Sequence, residues 1–107
     1  MKHDILTPLP SGNIVTVTGT SAPTTNTMAQ IFAANGYTQP PGDFVVEVTS
    51  STAVHWTYGT TPVATDAHPR ISAGMTRQFR VGASHKMAFI KQSGASDGTI
   101  SVHICTE

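Results

Sequence analysis

Few side chains in this sequence are of a type and spacing to do chemistry. Gly94-Ala95-Ser96-Asp97-Gly98 matches the G-x-S-x-G pattern in which a strained strand-to-helix turn exposes a nucleophilic serine. Here the segment ends in Asp-Gly and runs into the β-branched Thr99-Ile100-Ser101-Val102, so turn chemistry accounts for each residue and no catalytic serine is assigned. His103 and Cys105 stand two apart, which on a strand gives them one face, and His55 on a neighbouring strand would offer a third ligand. Tetrahedral metal sites show denser clusters such as C-x-x-C, so these histidines read as solvent-facing strand residues, and neither a metal nor a cofactor is expected. No phosphate-cradling G-x-x-x-x-G-K or G-x-G-x-x-G is present, and the six acids are scattered. Trp56 and Tyr58 could form a sugar-stacking platform, but their period matches Val54, which places them on a core-facing side. Arg70, Arg77 and Arg80, with Lys86 and Lys91, put five of the six basic residues in the C-terminal half; most surface charges simply solvate the face that carries them, and the functional reading beside that one is an anion- or protein-binding patch.

The elements that must position these residues are short strands. Met1 to Ser11 carries Ile5, Leu6 and Leu9 around Pro8 and Pro10; neither a helix nor a central strand tolerates that pattern, and it reads as an extended apolar arm ahead of one domain over residues 12–107. Asn13 to Thr18 alternates β-branched residues, and Gly19 to Asn26 follows as a loop. Residues 28–34, after Thr27 and before Asn35-Gly36, form either a short capped helix or a strand entering an Asn-Gly hairpin; the helix is the reading taken. Phe44, Val46 and Val48 share a face, and Val54, Trp56 and Tyr58 share another after a tight connection at Ser50-Ser51, a pattern read as a hairpin. Gly59 to Gly74 is a long connection with room for an edge strand at Arg70-Ile71. Strands follow around Phe79 to Val81, Met87 to Ile90 and, after a hairpin turn over 93–98, Ile100 to Ile104. Short strands at this spacing predict an all-β protein, a β-sandwich or jelly-roll-like barrel.

Charge narrows the function further. Asp, Glu, Lys and Arg make up only 11% of the 107 residues and cancel to a net charge of zero, against about 25% charged residues in an average soluble domain. Serine and threonine, about a quarter of the chain, supply the hydrophilic surface. A neutral chain lacks the counterion-release affinity of nucleic-acid binders, so no nucleic-acid partner is expected. Asp4, Pro8 and Pro10 interrupt any secretory signal, no run of about 18 apolar residues is available to span a membrane, and the single Cys105 forms no internal disulfide. These features fit synthesis in a cytosol and no membrane partner.

The stretches Tyr58-Gly59-Thr60-Thr61-Pro62-Val63-Ala64-Thr65, Ile71-Ser72-Ala73-Gly74-Met75, Lys86-Met87-Ala88-Phe89-Ile90 and Gly98-Thr99-Ile100-Ser101-Val102 resemble small accessory proteins of tailed bacteriophages, as does the opening Thr7-Pro8-Leu9-Pro10-Ser11-Gly12. The resemblance covers about the C-terminal half and is one of turns and strands. It implies a virion structural component, most often a capsid decoration or cement protein: non-enzymatic, homo-oligomeric, bound to the major capsid protein on the capsid surface and made in the host cytoplasm. On that reading Ile5, Leu6 and Leu9 dock the arm, and Arg70, Arg77 and Arg80 form an interaction patch. The competing expectation is a fibre or tail-tip module that binds a host glycan through Trp56 and Tyr58.

Overall fold

The computed structural model describes residues 7–37 and 42–106. Along the chain run β1 (Thr7–Pro8), β2 (Asn13–Val17), β3 (Ala22–Pro23), α1 (Met28–Ala33), β4 (Asp43–Ser50), β5 (Val54–Gly59), β6 (Arg70–Ile71), β7 (Thr76–Gly82), β8 (Lys86–Lys91) and β9 (Gly98–Thr106). They build two antiparallel sheets. In the first, β9, β4 and β7 lie side by side, and β1 and β2 share the outer edge of β9; the second has the order β3-β8-β5-β6. With β1 and β2 counted as one position, this is the strand order of a jelly roll. The expected all-β sandwich is the fold observed.

The inner faces are those the alternation marks. Phe44, Val46 and Val48 of β4 and Ile100, Val102 and Ile104 of β9 lie side by side on the inner face of the first sheet, and Val54, Ile71, Met87 and Phe89 of the second sheet complete the core. α1 closes one end. Its Thr27 hydroxyl accepts from Gln30 N–H while Gln30 Oε1 accepts from Thr27 N–H, a complete capping box. Two first-turn N–H groups that no helix can satisfy internally donate outward, Met28 to the His85 carbonyl and Ala29 to that of Ala83. The helix is thereby fastened to the β7–β8 corner with Met28, Ala29, Ile31 and Phe32 buried.

Two connections differ from expectation. β4 and β5 are not a hairpin, because β4 pairs with β7 and β9 while β5 pairs with β6 and β8 in the opposite sheet. The 93–98 turn likewise crosses between sheets, from β8 to β9, as does the β7–β8 corner. Hydroxyls make the β4–β5 crossing possible. Buried Ser50 donates to the Thr52 carbonyl, Thr52 Oγ1 donates to the Ser96 carbonyl at 2.7 Å, and Ser51 Oγ accepts from Thr99 N–H at 2.9 Å. A chain turning through a sandwich corner needs such partners for its polar groups. β3, within the 19–26 stretch expected to be loop, is a two-residue edge strand in which Pro23 is tolerated.

Candidate functional site

The described part of the arm, residues 7–11, is anchored to the domain. Thr7 and Pro8 pair with Thr106 and Cys105 on the edge of β9. Leu9 is only 8% exposed and belongs to the core. Its N–H donates to the Ile104 carbonyl and its own carbonyl accepts from His103 Nδ1, both at 2.8 Å. Asn35 then holds Ser11 through two bonds, accepting from its N–H at 2.9 Å and donating to its carbonyl at 3.1 Å. Gly12 permits the close crossing, since a Cβ there would strike the Val102 carbonyl and lie 2.7 Å from His103 Nδ1. Leu9 is therefore a core residue and not a docking residue, because its side chain fills the end of the sandwich. Ile5 and Leu6 lie outside the described residues.

The histidines and the cysteine do not converge. His103 and Cys105 share the outer face of the first sheet, as their spacing requires, and Glu47 lies directly across from His103. His55 is in the other sheet, where its Nδ1 donates to the His68 carbonyl at 2.9 Å. Among the described residues no group of three or more His, Cys, Asp or Glu could hold a metal ion. Burial, and secondarily the Glu47 carboxylate, pushes the Cys105 thiol above its ordinary 9.0, which disfavours the thiolate a nucleophile needs. Ser96 sits in the β8–β9 crossing, where its carbonyl caps Thr52. His68 serves the long connection, accepting from Thr65 N–H at 2.9 Å.

The side of the sandwich formed by β6 and β7 is different in kind. β2 lies near β3, and the Trp56 ring of β5 sits 4.0 Å from that of Phe79 on β7, so the β6 and β7 edges fall on the same side. That side carries Arg70, Arg77 and Arg80. They do not form one cluster: Arg70 donates to Gln92 Oε1 at 3.0 Å on the outer face of the second sheet, Arg80 stands across from Val45 on the outer face of the first, and Arg77 shares the inner face with Phe79 at the open edge. Trp56 and Phe79 are half-buried against the core, as the period predicts for Trp56, whereas Tyr58 is 48% exposed and stacks on Trp56 at 6.3 Å. β6 is only two residues long, so among the described residues the rest of β5 has no strand beside it on this side.

Two further surfaces stand out. The outer face of the first sheet carries an uncharged cross-strand row, Ile14–Ser101–Thr49–Thr76, with Thr16 across from Thr99 beside it. Ile14 is 67% exposed, and Thr49 and Thr76 hydroxyls meet at 2.9 Å. Over the second sheet the 59–69 connection folds back, its Ala64 N–H donating to Ser21 Oγ at 2.8 Å. A cleft of about 480 Å³ remains there, lined by Thr65, Asp66, Ile90, Lys91 and Ser93 among others. Its one ammonium group, Lys91 Nζ, is already 2.7 Å from Asp97. Among the described residues no helix is long and apolar enough to cross a membrane.

The fold and these surfaces define a β-sandwich of jelly-roll order whose exposed features, among the described residues, include hydroxyl rows, a partly open edge and two exposed tyrosines, Tyr37 and Tyr58. Comparison with protein families, curated proteins and solved structures matches nothing.

Proposed function

We propose that this chain is a structural component of a tailed-bacteriophage virion, a capsid decoration or cement protein that lies on the major capsid protein as a homo-oligomer and stabilises the shell. The observation that carries this reading is the uncharged outer row of the first sheet, Ile14–Ser101–Thr49–Thr76. Covering such a face removes apolar and hydroxyl surface from water without stripping ions of their hydration, the step that makes charged contacts costly. The low charge of the whole chain, 11%, extends the argument to close packing between copies. The phage assignment itself comes from the turn-and-strand resemblance.

The test is co-sedimentation with DNA-filled heads of the phage that encodes the chain. Many copies per head are expected, and Ile14→Lys should abolish binding without unfolding the protein. Binding of a few copies only, or binding indifferent to Ile14→Lys, would overturn the reading. A second reading, a tail-tip module for a host glycan, is favoured by the exposed Tyr58 ring backed by Trp56. Glycan-array binding lost in Tyr58→Ala would select it.

A further inference from the structure

β7 is an open edge. Among the described residues it pairs through Thr76–Gly82 with β4 alone, and an unpaired strand edge offers a row of backbone donors and acceptors to any extended segment of suitable polarity. Its two faces differ. Arg77, Phe79 and Val81 look inward with Val48, Val46 and Phe44, while Thr76, Gln78 and Arg80 look outward with Thr49, Glu47 and Val45. The inner face is unfinished at this margin, since Phe79 and its neighbour Trp56 are both only half-buried. A segment that completes this edge therefore brings an apolar side chain on its inward side and an acidic one on its outward side, beside Arg80.

The chain's own first six residues have that pattern. In an extended conformation Asp4 and Leu6 share one side, and His3 and Ile5 the other. Set antiparallel to β7 with Ile5 across from Phe79, the alternation places Asp4 across from Arg80, Leu6 across from Gln78 and Thr7 across from Arg77. Strand polarity allows this between copies. β9 and β7 are both antiparallel to β4, and β1 is antiparallel to β9. The line of β1 therefore runs antiparallel to the β7 of a second copy set edge to edge in the same orientation. Thr7, the first described residue, stands across from Thr106 at the start of β1, and six residues precede it in the sequence. Six extended residues reach about 20 Å, enough to follow β7 along most of its length.

We propose that residues 1–6 of one copy add as a strand to the β7 edge of a second copy, with Ile5 across from Phe79 and Asp4 across from Arg80. The contact uses different surfaces on its two sides, so it propagates from copy to copy and closes into a ring where the rotation per step allows. Two β7 edges facing each other are a poorer solution, because Arg77 and Arg80 from both copies would gather on one seam. The proposal deepens the homo-oligomer part of the decoration reading, but its test needs no phage heads, so the failure of one is distinguishable from failure of the other.

The test is sedimentation equilibrium of the full chain in solution. The unaltered chain should assemble, Asp4→Arg and Arg80→Asp should each weaken association at least tenfold, and the two together should restore it. A disulfide trap fixes the register: with Cys105→Ala, the pair Leu6→Cys and Gln78→Cys in one chain should give a ladder of covalent oligomers on oxidation, and neither single cysteine should extend beyond a dimer. Because Arg80 is exposed, its substitution leaves the fold intact, as circular dichroism would verify. A chain that stays monomeric, an assembly indifferent to both charge changes, or a double swap that fails to restore it would overturn the proposal.

Discussion

The two sides of the sandwich treat their edges in opposite ways. On the β1–β2 side the edge of β9 is covered along its length, Leu9 is driven into the core, and His103 and Asn35 grip the backbone on either side of Pro10. On the β6–β7 side one edge strand is two residues long, the other bears two exposed arginines, and an aromatic pair is left half-covered. Both sides belong to the same core, so the difference is not one of hydrophobic content. It lies in whether local chain covers the margin. A margin left open by a chain that closes its other side tightly is where a partner has most to gain.

Substitutions on the closed side should therefore destabilise, and those on the open side should alter association. The largest effect is expected for Leu9→Ala. Removing a buried leucine side chain costs about 2–5 kcal/mol, with the lower half of that range appropriate at the end of a core. In a domain of this size that lowers the thermal midpoint by roughly 10 °C or more. If Leu9→Ala leaves the midpoint unchanged, the arm is not part of the closed side and the comparison fails. Deleting residues 1–6, which spares Leu9 and the β1 pairing, should shift the midpoint little.

Thr27→Ala comes next. It removes the hydroxyl half of the capping box that starts α1, for about 1 kcal/mol in a denaturant titration. Tyr58→Ala on the open side should cost less than about 1 kcal/mol, because nearly half of the side chain is already in water. A larger loss would mean that Tyr58 is structural and that the open side is smaller than described.

These contrasts show which parts of the molecule could be read locally. Thr27 and Gln30 are near neighbours, and the capping interaction between them needs no distant residue. The inward faces of β4, β8 and β9 follow from the alternation of Phe44, Val46 and Val48, of Met87 and Phe89, and of Ile100, Val102 and Ile104. Sheet membership was not visible, because a strand turning back in its own sheet and one crossing to the other show the same alternation toward one shared core. The distinction rests on Ser51 and Thr52, whose partners Thr99 and Ser96 lie more than forty residues away. The same holds for the arm. Pro8 and Pro10 rule out helix, but nothing near them says that Leu9 meets Ile104. The arginines could be grouped by position in the chain, yet only the strand order brings Arg70 of β6 and Arg77 and Arg80 of β7 to one side of the sandwich.

The smallest effect expected is also the most specific to the closed side. Cys105 lies beneath the β1 pairing, across from Pro8, and is 7% exposed. Burial first, and the Glu47 carboxylate second, hold its thiol above 9.0. The native state therefore keeps a proton that the unfolded chain releases, so stability is whole below 9.0 and declines as pH rises past it. Denaturant midpoints taken about one pH unit below and one above that value should differ more in the unaltered chain than in Cys105→Ala. Alkylation of the thiol should be slow in the native protein, since the thiolate is the reacting form. Leu9→Ala should speed it by loosening the strand that covers Cys105, whereas Arg77→Ala on the far edge should leave the rate unchanged. Equal rates in those two variants would mean that β1 does not shield Cys105, and that the closed side is closed by the β9 pairing of β2 alone.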